Sequence, residues 1–456
     1  MRQSHWGWRT QTCVRCFPGG KAACVATGDR STEVALASQE LGGWLGSRVC
    51  QGLFPCGGKR SLGRAGPRLA FCGSPRLTFW RSPRALKGGS TSVAESSDVT
   101  YNFSSGPAAL PAEVVDLIQQ ELPDWHGTGM PVMTLSHRGA DIVNLMGQAE
   151  HKLRHALSVP DTHEVLFLQG GGVGQFAAVP LNLTEPGDEV AALITGNWGN
   201  TAAKEAEQMG VTVHRAADEA ATNYTTLPAP DSFSVPARAK YLYYVPNETI
   251  QGVEFDYLPH AGVPLVADAS SQILSRPMDV AAHGLVFAGT QKNLGIAGAV
   301  VVIVDKALLG HARQTCPSVL DYTKMAASDS LLNTPTTFAI YVLDLVLDWV
   351  EERGGVRAME TGAAKKAGMV YSLIDASDFY SNPVQPHARS TKNIPFTLAD
   401  PGLDSTFLAE SRAEGLAFLE GHRTVGGMRA SIYNAMPEEG VRALTGFMAE
   451  FERRFG

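Results

Sequence analysis

Apolar and polar positions change their spacing sharply near residue 100. Up to residue 96 no stretch sustains a helical or strand period; from Tyr101 onward short apolar runs bounded by Gly, Pro or Asp recur. The runs are Val165–Leu168, Val190–Thr195, Val211–His214, Tyr241–Val245, Leu265–Ala267, Leu285–Ala288 and Ala299–Val304. They are too short for helices and rich in β-branched or aromatic residues, so the pattern predicts buried strands. Helical stretches such as Thr201–Met209 lie between several of them, and another is predicted from Gln175. Strand alternating with helix predicts an α/β fold, a mixed, mainly parallel sheet covered on both faces. In such sheets ligands bind beyond the carboxyl ends of the strands.

A long amphipathic helix is predicted over Thr337–Glu352, stopping before Gly354-Gly355. Beyond it, helix over Arg357–Asp375, short strands near Asn393–Leu398 and Met428–Ile432, and a last helix over Pro437–Phe455 predict a smaller α+β C-terminal domain. Tyr101–Pro111 is expected to pack against that domain. The division is then a leader over 1–96, a large domain over 97–356 and a small domain over 357–456.

Charge separates the same segments. The 456-residue chain carries a formal net charge of -7, but residues 1–96 hold 14 Lys/Arg against Asp29, Glu33, Glu40 and Glu95. That leaves 24 basic and 41 acidic residues in 97–456, a net of -17. A body this acidic repels a phosphate backbone, which argues against nucleic-acid binding. An Arg- and Ser-rich, acid-poor leader without a compact apolar core fits an organelle transit peptide rather than a secretory signal. Its length and its Ser, Gly and Pro content favour plastid over mitochondrion, with cleavage expected near 85–97. No apolar run reaches bilayer length, so a soluble mature protein is expected.

Six of the seven cysteines (Cys13, Cys16, Cys24, Cys50, Cys56, Cys72) lie in the leader and only Cys316 beyond it. Cys13 and Cys16 form a C-x-x-C whose second metal-binding half is missing, so no zinc site is expected.

Candidate chemistry sits where the strands end. Lys292 follows the run Leu285–Ala288, and Asp268 follows Leu265–Ala267. A single lysine at a strand end is commonly a solvated charge. Paired with a carboxylate on a neighbouring strand it has a second reading, because pyridoxal chemistry needs a lysine for the Schiff base and an acid on the pyridinium nitrogen. The run Gly170-Gly171-Gly172-Val173-Gly174-Gln175 follows a strand and precedes a helix. It could let backbone N–H groups approach a phosphate, or could equally be a tight turn. No Lys-Ser/Thr follows it and Gln175 replaces the third glycine of a dinucleotide fingerprint, which excludes both common nucleotide loops. Trp198 could stack on a flat ring or simply fill core.

Longer strings carry a resemblance. Asn102-Phe103-Ser104-Ser105-Gly106-Pro107-Ala108, Ser136-His137-Arg138-Gly139, Gln175-Phe176-Ala177-Ala178-Val179-Pro180-Leu181-Asn182, Pro246-Asn247-Glu248-Thr249-Ile250, Gln291-Lys292-Asn293, Asn333-Thr334-Pro335, Gly421-His422-Arg423 and the run from Gly426 to Pro437 resemble the phosphoserine aminotransferase family over about 100–456. The resemblance implies fold type I, class V, a homodimer and pyridoxal 5'-phosphate. It implies that Lys292 bonds the cofactor and then shuttles a proton as a general acid–base, and that Asp268 pairs with the pyridinium nitrogen. It implies further that Trp198 stacks on the ring, Thr249 hydrogen-bonds ring substituents, and Gly172, Val173 and Gln291 hold the phosphate. Asn333 of the partner subunit and Thr334 of the partner subunit would complete that cup.

For substrates, it implies that Ser105 and Arg138 bind glutamate and that His137, His422 and Arg423 grip a carboxylate or phosphate, anions that suit the guanidinium fork. Val173 stands where some members carry Arg, which removes a side-chain contribution to substrate phosphate. The expected reaction moves an amino group from glutamate to 3-phosphohydroxypyruvate, giving 2-oxoglutarate and O-phosphoserine in serine synthesis; 3-hydroxy-2-oxo-4-phosphobutanoate is a further candidate. Competing readings are a cysteine desulfurase, which would need Cys316 as nucleophile, an inactive scaffold, which would lack Lys292 or Asp268, and a nucleotide-dependent enzyme.

Overall fold

A computed structural model describes residues 100–260 and 262–456, all within one unit spanning 91–456. The leader, with its C-x-x-C and expected cleavage point, lies outside the described residues. All seven apolar runs enter one sheet: β1 (His163–Leu168), β2 (Glu189–Ile194), β3 (Thr212–Asp218), β4 (Leu242–Tyr244), β5 (Leu265–Asp268), β6 (Leu285–Gly289) and β7 (Val300–Asp305). Their order is β1-β7-β6-β5-β4-β2-β3. Neighbours pair in parallel except at β7, which runs antiparallel to both β1 and β6. The fold is thus the α/β, mainly parallel sheet that the sequence predicts.

Burial explains why these runs read as continuous apolar strings. Every residue of β2 and β6 is buried, as expected for strands covered on both faces. One face packs on α1 (Ala140–Leu157) and α4 (Thr337–Glu352), and the other on α2 (Gly171–Leu183) and α3 (Asn197–Gln208). Two helices begin earlier than the polarity pattern predicts. α2 starts inside the glycine run, where Gly170 (φ 93°) and Gly171 (φ 60°) occupy the left-handed region. α3 starts four residues before Thr201, because its first turn is capped from elsewhere in the chain.

Past α4 the chain turns at Gly354 (φ 94°) into α5 (Gly355–Asp375). Strands β8 (Tyr380–Ser381), β9 (Asn393–Leu398) and β10 (Met428–Ser431) form an antiparallel sheet, and α6 (Glu438–Phe455) closes the chain. A third apolar core gathers residues of α5, β9, β10 and α6, and Phe103 joins it fully buried. Tyr101–Asn102 pairs in parallel with Leu416–Ala417. A buried ion pair ties this layer to the large sheet's side: Lys392 Nζ donates to Glu254 Oε1, and both side chains are almost wholly enclosed.

Candidate active site

β5 and β6 are parallel neighbours, so Asp268 at the end of one and the turn leading to Lys292 after the other open on the same sheet edge. β2 and β4 run the same way and send Trp198 and Thr249 to that edge. A cavity of about 190 Å³ results, and eight of the predicted residues line it: Ser105, Gly172, Val173, Trp198, Thr249, Asp268, Gln291 and Lys292. Their gathering follows from topology rather than sequence proximity.

Asp268 is held rigidly. Its Oδ1 accepts from the Ser270 main-chain N–H (3.0 Å) and hydroxyl (2.6 Å), while the Gly289 N–H donates to the same Ser270 oxygen at 3.0 Å. Oδ2 accepts nothing from the described residues. Burial pushes the Asp268 carboxyl above its ordinary range, and the Lys292 charge draws it back down. For Lys292, burial pushes the amine down, with Asp268 and Glu248 opposing and Arg429 adding to the fall. A lysine held this way is neutral more often at a given pH than a solvated one, as a base or nucleophile requires.

Glycine at 172 keeps the cavity open: a Cβ there would lie 3.3 Å from Ser270 Oγ and 3.9 Å from Asp268 Oδ2. The N-terminus of α2 has no side-chain cap, so its first-turn N–H groups are free for an anion. The Trp198 indole N–H donates to Thr249 Oγ1 at 2.8 Å, fixing the ring beside the cavity.

The remaining predicted residues lie elsewhere on the chain. His137 and Thr334 line a separate hollow of about 380 Å³ with Ala297 and Gly298, and Arg138 and Asn333 flank them in sequence. None of these four lines the Lys292 cavity. His422 and Arg423 sit on the loop before β10. Burial and then the charges of Arg429 and Arg423 hold the His422 ring below its usual pKa.

The class-V aminotransferase family model matches residues 100–444. Phosphoserine aminotransferase from Pseudomonas aeruginosa is 51% identical over 358 residues, 78% of this chain and 99% of that protein. That from Marinomonas is 48% identical over 78% of this chain and 99% of its own. The solved phosphoserine aminotransferase of Bacillus circulans superposes with a TM-score of 0.77 at 44% identity, covering 79% of this chain and all (100%) of that one. The chain belongs to the class-V aminotransferases.

This is a pyridoxal-phosphate-dependent family, and the cavity fits that cofactor on its own terms. Oδ2 of the buried Asp268 accepts no hydrogen bond among the described residues and the side chain lines the cavity, and a pyridinium N–H is a donor that would fit it. The uncapped helix end offers N–H groups to a phosphate, and a lysine amine faces the same space. The class-V aminotransferase therefore has residues for each part of the group. The desulfurase reading fails, since Cys316 is absent from the cavity lining and burial pushes its thiol up. The scaffold reading fails because Lys292 and Asp268 meet in one cavity.

Two kinds of functional residue escape sequence reasoning. Arg429, on β10, donates to Ser105 Oγ at 2.8 Å and to the Thr249 carbonyl at 3.3 Å, while its buried Nε has no partner among the described residues. A cation between apolar Met428 and Ala430 was the available signal. Asn247 lines the cavity and donates to Ser271 Oγ and Asn393 Oδ1, both at 2.8 Å. It comes two residues after the strand run, past Pro246, where a polar residue marks the sheet edge.

Proposed function

We propose that this chain is a phosphoserine aminotransferase, which moves the amino group of L-glutamate to 3-phosphohydroxypyruvate and releases O-phospho-L-serine and 2-oxoglutarate. The observation that carries this reading is a lysine amine and a buried acid sharing one cavity, with the Arg429 guanidinium bonded to Ser105 of its lining. When bound, pyridoxal 5'-phosphate supplies an electron sink for the substrate's α-carbon and a carrier for the amino group. Asp268 keeps a proton on the ring nitrogen, Trp198 and Thr249 orient the ring, and Gly172, Val173 and Gln291 hold the phosphate. Lys292 would move the proton at the substrate's α-carbon, ordinary general acid–base catalysis.

Ser105 with Arg429 receives the substrate α-carboxylate; the bond from Arg429 to the Ser105 hydroxyl in the cavity lining supports this. His422 and Arg423 receive the distal anion. His137 and Arg138, together with Asn333 of the partner subunit and Thr334 of the partner subunit, act across a homodimer interface. Support for the dimer is that one chain keeps these residues out of its own cavity. With Val173 in place of Arg, the substrate phosphate rests on the remaining cations, and 3-hydroxy-2-oxo-4-phosphobutanoate carries the same anionic groups. We also read residues 1–96 as a transit peptide delivering the enzyme to the plastid stroma, with the mitochondrion as the alternative, and the body as two domains meeting at 356/357.

A coupled assay with phosphoserine and 2-oxoglutarate, against alanine and glyoxylate, tests the activity; turnover of alanine alone would overturn it. Arg423→Ala and Arg138→Ala should each lower kcat/KM by roughly 10- to 100-fold, the worth of a charge-assisted hydrogen bond of about 1.5–3 kcal/mol, chiefly by raising KM. Normal kinetics in the double variant would remove both from the site.

A further inference from the structure

Trp198 stands in the first turn of α3, and that turn is held from a different part of the chain. The N–H groups of Asn197, Trp198 and Gly199 have no carbonyl of their own helix to bond. The capping residue, Gly196, has no side chain to offer. Acceptors arrive instead from the short hairpin after β4, where Asn247–Glu248 pairs with Val253–Glu254. Gln251 Oε1 accepts from Asn197 N–H at 3.1 Å, Glu248 Oε2 from Trp198 N–H at 3.0 Å, and Glu248 Oε1 from Gly199 N–H at 2.8 Å. A Cβ at 196 would lie 2.4 Å from Glu248 Cδ and 2.7 Å from Gln251 Oε1, so glycine alone admits this approach.

The next residue finishes the grip. Thr249 accepts from the Trp198 indole N–H, so two consecutive residues hold the tryptophan by its main chain and by its ring. Glu248 is fully buried, yet it bonds no cation among the described residues. A carboxylate without a paired base is costly to enclose unless the enclosure serves a purpose, and here both its oxygens are spent on a helix end.

We propose that Glu248 is a positioning residue for transamination, fixing the Trp198 indole against the cofactor ring through the first turn of α3. This rests on the reading that Trp198 packs on that ring. Charged and titratable neighbours surround the group. Asp268 on β5, Lys292 after β6, Tyr243 on β4 and Tyr224 all feel its charge. Burial raises the Glu248 carboxyl to about 7, with the Gly199 and Trp198 N–H groups and Lys292 pulling down and Asp268 pushing up. Its negative form favours the protonated form of Lys292, so removing that charge lowers the pH at which residue 292 loses its proton.

The test measures cofactor affinity and the dichroism of the bound cofactor in wild type, Glu248→Gln, Trp198→Phe and the double variant. Glu248→Gln keeps the shape but turns an N–H donor toward the helix's own N–H groups. It should weaken binding of pyridoxal phosphate about 10-fold, alter the induced dichroism, and shift the pH titration of the cofactor's visible absorption to lower pH. In the Trp198→Phe background the same change should add little, since neighbours acting through one contact are not additive. Wild-type affinity and dichroism in Glu248→Gln, or full additivity with Trp198→Phe, would overturn the proposal while leaving the ring-packing reading intact. If Trp198→Phe alone leaves both signals untouched, the ring-packing reading falls and takes the proposal with it. Glu248→Asp, which keeps the charge but withdraws it from the helix, gives the same comparison if the glutamine variant does not fold.

Discussion

Replacing Lys292 with alanine is expected to abolish the yellow colour of the purified protein and to lower kcat by at least ~10²- to 10⁴-fold, the contribution of a positioned general acid–base. The expectation follows from burial. Lys292 lines the cavity partly buried, and desolvation there drives the amine toward its neutral form. Asp268 and Glu248 restrain that shift by favouring the ammonium, which leaves the group able to take up and release a proton. Alanine removes both the bonding nitrogen and the proton carrier, so two readouts must change together. The fold should survive, because the Lys292 amine makes no hydrogen bond among the described residues and Asp268 keeps its two bonds from Ser270. Absorption spectroscopy and turnover on one preparation decide the matter. An unchanged visible spectrum would remove Lys292 from the chemistry, whatever the turnover.

This pair was legible in the sequence because parallel sheets place function at strand ends. A polar residue after each buried run marks the edge where the carboxyl ends open, and Asp268, Lys292 and Thr249 follow their runs within a few residues. What sequence spacing cannot carry is the capping of α3 by Glu248 and Gln251, fifty or so residues downstream. Thr201, the first residue of the predicted helix, lies four positions inside the real one because local polarity at Asn197 and Asn200 resembles a loop. Arg429 hid for the opposite reason. Alternation in a short strand accounts for any single polar residue, so its bond to Ser105 across 324 positions left no local trace. His137, Arg138, Asn333 and Thr334 were legible through resemblance, yet one chain keeps them away from Lys292. Such residues can be read as site residues only by invoking a second copy.

Lys392→Met should destabilise the protein by about 3–5 kcal/mol, toward the lower end, because it strands a buried carboxylate. Glu254 is 6% exposed and Lys392 1%, so solvent screens the pair very little. Thr391 also serves Glu254, through its N–H at 2.8 Å and hydroxyl at 2.9 Å, and Arg276 approaches to 3.5 Å. These partners remain after the substitution and limit the loss. Burial by itself would raise the Glu254 carboxyl; Lys392, Thr391 and Arg276 together outweigh it and hold the group below its ordinary value. A carboxyl depressed on folding adds stability above its unfolded pKa and forfeits it as pH falls through the folded value. Wild type should therefore keep this contribution until the pH drops below the usual carboxylate range. In Lys392→Met the stranded carboxyl rises, so protonation as the pH falls through its folded value relieves the uncompensated charge, and the gap to wild type should narrow on the acid side. Urea unfolding across that range measures both effects, and adding Glu254→Gln to Lys392→Met should recover part of the stability by neutralising the stranded charge. Unfolding of Lys392→Met at the wild-type urea midpoint would mean the pair contributes nothing net, and that the apolar packing around Phe103, β9 and β10 alone holds the C-terminal layer in place.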